Sequence, residues 1–127
     1  VIDHFQNPRN LGRMEDADGF GRVTGPCGDT MEIYLRVVGD RVVEAKFMTD
    51  GCGTTIACGS MATELVRGKS LIEALRIDSG VILQSLGGLP EEDVHCSVLA
   101  ANTLREALKD YLSARGQPWK RLYRKGG

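Results

Sequence analysis

Apolar and polar residues alternate over Met31-Glu32-Ile33-Tyr34-Leu35-Arg36-Val37, and a second alternating run extends from Val42 to Met48. This period-two pattern predicts two strands with one buried face. Gly39-Asp40 between them marks a hairpin, and the length of its turn sets the register. A two-residue turn puts Leu35 opposite Glu44. A three-residue connection, Gly39-Asp40-Arg41, instead opposes Ile33, Leu35 and Val37 to Phe47, Ala45 and Val43, and pairs Arg36 with Glu44. One shared buried face favours the second register, because a one-residue slip turns every side chain over.

From Thr54 the spacing becomes helical, up to about Arg67, with Gly68 as the stop. Ser70 stands three residues before Glu73, the spacing of a capping box, and opens a helix through Arg76. Residues 78–88 predict another short helix ending at Gly87-Gly88. The last helix runs from about His95 to Ala114, with Ala101, Leu104, Leu108 and Tyr111 on one face and Gly116 at its end. Before the strands, a short helix over residues 1–7 stops at Asn7-Pro8, and the Gly- and Asp-rich stretch 13–30 reads as a loop. Strands followed by several helices give an α+β fold, a small antiparallel β-sheet with helices packed on one face. At 127 residues, with no internal repeat, the chain reads as a single domain over 1–127 with a short basic tail at 117–127.

Composition narrows the function classes. The formal net charge is −1, from 16 basic and 17 acidic side chains, which points to neither nucleic acid nor membrane as a partner. No apolar run reaches the roughly 18 residues of a membrane span. The sequence shows no secretory pattern, so the expected location is cytoplasmic, with thiols kept reduced.

The cysteines carry the candidate chemistry. Cys27 lies in Gly25-Pro26-Cys27-Gly28-Asp29, just before a strand, and Cys52 in Asp50-Gly51-Cys52-Gly53, between a strand and a helix. Cys96 opens the last helix beside His95. Helix N-termini favour the thiolate, which is the nucleophile and the metal ligand. If the segment is extended, Asp29 points the same way as Cys27, two residues earlier. Three thiolates with a nearby His or Asp suit iron–sulfur or zinc chemistry, and spacing does not choose between them. Without a C-x-x-C pair a zinc ribbon is not indicated. Cys58, in mid-helix beside Ile56, reads as core, and His4 as a structural side chain of the first helix.

These motifs together resemble the U-type iron–sulfur cluster assembly scaffolds, the IscU branch of the NifU-like proteins. The likeness rests on Val1-Ile2-Asp3-His4-Phe5-Gln6-Asn7-Pro8-Arg9-Asn10, on the three cysteine motifs in order, the last as His95-Cys96-Ser97, and on Gly68-Lys69-Ser70-Leu71. It implies a scaffold that carries a cluster without enzymatic turnover. Cys27, Cys52 and Cys96 would be ligands, and His95 or Asp29 would complete the set. Cys96 would accept persulfide sulfur from a cysteine desulfurase, and Asp29 would keep the cluster labile. The implied cargo is a [2Fe–2S] cluster, or a [4Fe–4S] cluster in a homodimer, built from Fe2+, with Zn2+ as an occupant of the apo site. Implied partners are the desulfurase, apo iron–sulfur acceptor proteins, and ferredoxin or another electron donor.

The zinc-containing SufU type carries an insertion between the second and third cysteines and lacks the histidine. Here 43 residues lie between Cys52 and Cys96, and His95 is present, as in the IscU branch. One departure stands out. Many relatives carry Leu-Pro-Pro-Val-Lys as the site for a dedicated Hsp70-type chaperone. This chain has Leu89-Pro90-Glu91-Glu92-Asp93, acidic where the lysine would be, which argues against that partner. The tail places Trp119, Leu122 and Tyr123 on one helical face, which fits docking on the domain better than nucleic-acid binding.

Overall fold

The computed structural model describes residues 9–26, 28–51 and 53–116, with the side chains of 114–116 left aside. The helix expected over 1–7 with His4, the cysteines Cys27 and Cys52, and the tail at 117–127 lie outside the described residues. Strands β1 (Gly19–Thr24), β2 (Thr30–Val38) and β3 (Arg41–Thr49) form one antiparallel sheet in sequential order. Helices α1 (Gly53–Val66), α2 (Leu71–Ala74) and α3 (Ser79–Ser85) follow, and a 3-10 turn at Glu91–Asp93 leads into α4 (Val94–Gly116).

The expected α+β arrangement is found. Met31, Ile33 and Leu35 of β2 and Val42, Ala45 and Phe47 of β3 are fully buried in one core with Cys58, Ala62 and Val66 of α1 and Leu104 and Leu108 of α4. The other face of the sheet carries ion pairs, Arg22–Glu32 at 3.9 Å and Arg36–Glu44 at 3.6 Å. Burying one Leu, Ile or Phe side chain is worth about 1.5–3 kcal/mol. An exposed ion pair gives at most about 1 kcal/mol. The apolar face therefore sets the register.

The β2–β3 hairpin combines features of both registers. Gly39 and Asp40 have φ of +57° and +61° and make a two-residue turn, with Val38 facing Arg41. This mirror-image turn matches the twist of the strands. Yet Ile33 faces Phe47, Leu35 faces Ala45 and Arg36 faces Glu44, as the longer connection requires. A bulge reconciles them. Val37 faces Val42 rather than the expected Val43, which becomes the extra residue and is 44% exposed. The bulge lets both Val42 and Ala45 face the core.

At the bulge, the Val37 N–H donates to Asp18 Oδ2 at 2.9 Å, and the Asp18 N–H donates to the Leu35 carbonyl at 2.8 Å. Removing the acceptor leaves a buried donor without its partner. Asp18→Ala is expected to cost about 1–3 kcal/mol in urea unfolding, with faster exchange of the Val37 amide. An unchanged midpoint and an unchanged exchange rate would remove Asp18 from this role.

The stretch 13–30, expected as a loop, contains β1. A Cβ on Gly19 would lie 2.6 Å from the Ala107 carbonyl oxygen, and one on Gly21 2.5 Å from the Thr103 oxygen. Helix α4 thus rests directly on the backbone of β1, and the glycines that read as loop signals are its contact surface. This contact fixes α4 against the sheet, and its second turn sits near the β1–β2 loop, where a Cβ on Gly25 would be 3.6 Å from the Leu99 side chain.

The expected caps are present. Ser70 and Glu73 form the capping box, which holds the Glu73 carboxyl below its ordinary range through its bonds to Ser70. Helix α2 ends at Ala74, short of the expected Arg76. Asp78 caps α3 by accepting from the Val81 N–H, and Gly87 and Gly88 follow that helix in left-handed conformations.

Candidate functional site

Two loops lie side by side at one end of the sheet. In the β1–β2 loop the Gly25 N–H donates to the Asp29 carbonyl at 2.8 Å, and the Gly28 N–H donates to the Gly25 carbonyl at 3.0 Å. The β3–α1 loop is tied to it. The Thr30 N–H donates to Asp50 Oδ1 at 2.7 Å, and the Thr49 hydroxyl donates to the Thr30 carbonyl at 2.7 Å. These bonds set the chain neighbours of residues 27 and 52 on adjacent loops.

The position of Asp29 has a different origin from the one expected. Gly28 has φ +94°, so the segment turns, and the same-side rule of an extended strand does not apply there. A threonine holds the carboxylate instead. Thr55, in the first turn of α1 and fully buried, donates from Oγ1 to Asp29 Oδ2 at 3.1 Å. The same Oγ1 lies 3.4 Å from Cys96 Sγ. Gly51 permits this, since a Cβ there would stand 2.7 Å from the Thr55 side chain. The β3–α1 loop closes on Thr55 only because residue 51 has no side chain.

Cys96 Sγ is in turn 3.7 Å from His95 Nε2. Cys96 lies in the first turn of α4, as expected, where unpaired N–H groups and the helix dipole favour negative charge. It is only 2% exposed, whereas the adjacent His95 is exposed and Asp29 is half-buried. The structure therefore links Cys96 to Asp29 through Thr55 and to His95 directly, and it places Cys58 in the core, fully buried. Thr55 is the residue that sequence reasoning missed. Its spacing of three from Cys52, about one helical turn, was the available signal.

Among the described residues no three His, Cys, Asp or Glu side chains form a group able to hold a metal ion. What the described part supplies is one soft sulfur, one hard carboxylate and one imidazole, a mixed donor set compatible with iron or zinc. Away from this site, burial and then the bond to Glu32 Oε1 at 2.7 Å push the Tyr34 phenol up to about 12. No helix among the described residues is long and apolar enough to cross a membrane.

The model of the NifU-like N terminal domain matches residues 1–117. The iron–sulfur cluster assembly scaffold protein IscU 1 of Archaeoglobus fulgidus is 52% identical over 118 residues, covering 92% of this chain and 77% of that relative. The scaffold protein IscU of Aquifex aeolicus is 45% identical over 120 residues, covering 92% and 76%. Among solved structures, the N-terminal part of a NifU-like protein from Brucella abortus matches with a TM-score of 0.68 at 18% identity, covering 88% of this chain and 91% of that one, which shows a common fold. Sequence and fold agree, and the chain belongs to the NifU-like N-terminal domain family.

Proposed function

We propose that this protein is a scaffold on which an iron–sulfur cluster is assembled as cargo and then passed to acceptor apoproteins. Cys27, Cys52 and Cys96 bind the cluster through thiolates, with His95 and Asp29 beside them as the non-cysteine donors. The cargo is a [2Fe–2S] cluster built from ferrous iron and from sulfur delivered by a cysteine desulfurase, with ferredoxin or another electron donor supplying the electrons beyond those from iron that reduce persulfide sulfur to sulfide. The observation that supports this most is the succession Asp29–Thr55–Cys96–His95, which gathers a carboxylate, a thiol and an imidazole next to the two loops flanking residues 27 and 52.

Each donor has a task. The Cys96 thiolate attacks the terminal sulfur of the desulfurase persulfide; the S–S bond breaks, the desulfurase thiolate leaves, and the persulfide now sits on Cys96. No net oxidation occurs in that exchange. Asp29 offers a hard oxygen to a centre that prefers soft sulfur, and a site with non-cysteine donors releases a cluster more readily than one of four cysteines. Its carboxylate also adds negative charge to a thiolate-rich site.

The test is transfer. Metal-free protein is given cysteine and a desulfurase under anaerobic conditions, then ferrous iron with a reductant, and finally an apo-ferredoxin. A visible absorption should form on the scaffold and reappear as holo-ferredoxin, and a sulfur adduct should be found on the Cys96 peptide before iron is added. A transferable sulfur adduct with no iron retained would make the chain a sulfur relay instead.

A further inference from the structure

We propose that Thr55 is a positioning residue that keeps Cys96 sheltered, its thiol suspended from Asp29 through the Thr55 hydroxyl, until an incoming metal or sulfur donor displaces those bonds. The inference rests on the scaffold reading for the task of Cys96, though its geometry stands without it.

A threonine hydroxyl has one proton. Thr55 Oγ1 gives it to Asp29 Oδ2 at 3.1 Å. The same oxygen lies 3.4 Å from Cys96 Sγ, so one hydroxyl links the sulfur to the carboxylate. A sulfur held in that contact and only 2% exposed offers little surface to an incoming metal or sulfur donor. The hydroxyl has little freedom to turn away. Thr55 is fully buried, its β-branched side chain has few rotamers in a helix, and Gly51 is packed against it.

The shelter is local. Cys96 is 2% exposed, yet Val98, two residues along α4, is 42% exposed, and His95 is exposed as well. The first turn of α4 thus has one face at the surface, while Cys96 lies on the face packed into the core, within reach of Thr55. Breaking the bond to Thr55 frees Sγ to turn towards the solvent side, where His95 Nε2 already lies 3.7 Å away.

The experiment uses the metal-free chain and iodoacetamide, with each modified cysteine resolved by peptide mass. Thr55→Val removes the hydroxyl at nearly constant volume, and Thr55→Ser keeps it. Cys58, fully buried in the core, reports in the same sample on opening of the whole fold. In Thr55→Val, Cys96 should be modified about three- to tenfold faster than in the wild type, the factor for one net hydrogen bond. Thr55→Ser should stay near the wild-type rate, and Cys58 should not change. An unchanged Cys96 rate in Thr55→Val would overturn the proposal, as would equal acceleration in Thr55→Ser or a Cys58 rate that rises in step. If circular dichroism shows Thr55→Val unfolded, Thr55→Ala takes its place with the same expectation. No metal enters this assay, so its outcome is independent of whether the chain holds a cluster.

Discussion

Cys27→Ala, Cys52→Ala and Cys96→Ala are each expected to abolish stable cluster reconstitution, while Cys58→Ser retains it. Loss of a partner that merely orients a ligand typically costs 10–100-fold in metal affinity, so loss of a ligand should cost at least about 100-fold. Cys96 occupies the first turn of α4, 3.7 Å from His95 and linked to Asp29 by way of Thr55. Cys58 is fully buried in the apolar core. A serine there places a hydroxyl in that core at a cost of about 1–3 kcal/mol, which lowers stability without touching the cluster. Visible absorbance with iron and sulfide content after desalting, taken beside thermal unfolding, separates the two effects. Cluster loss in Cys58→Ser with the fold intact would show that the division between ligands and core is wrong.

Asp29→Ala should slow cluster loss by about tenfold, equivalent to a barrier higher by about 1.4 kcal/mol. Removing the carboxylate takes away a hard donor, a negative charge beside the thiolates, and a base able to accept a proton as the cluster leaves. Folding should suffer little. Asp29 is half-buried, and the Thr55 hydroxyl it releases still has Cys96 Sγ within 3.4 Å. The comparison is the decay of cluster absorbance in mutant and wild type after addition of a chelator or an acceptor apoprotein. Faster decay in the mutant would mean that Asp29 retains the cluster instead of loosening it.

The elements that sequence made legible were those whose signals are local. Alternation over Met31–Val37 gave β2, Ser70 with Glu73 gave a capping box, and the apolar face of Ala101, Leu104 and Leu108 gave α4. Features that depend on contacts distant in sequence stayed hidden. Gly19 and Gly21 signal a loop until α4 is seen lying on their backbone, and the bulge at Val43 appears only when the turn at Gly39-Asp40 must be reconciled with the buried face.

The site divides in the same way. His95, Cys96 and Asp29 belong to short motifs and could be named from them. How Asp29 is held could not, because it depends on a turn at Gly28 and on Thr55, 26 residues further along the chain. Burial of Cys96 likewise comes from packing between α1 and α4, which no local pattern reports.

The most direct test of the scaffold reading is the iron and acid-labile sulfide retained by the chain. Metal-free protein is reconstituted anaerobically with ferric iron and sulfide in the presence of an equal amount of zinc, and is then desalted. Iron and sulfide should remain bound in equal amounts and leave together when an acceptor apoprotein is added. Retention of zinc alone, with neither iron nor sulfide, would contradict the assignment of this site to cluster assembly.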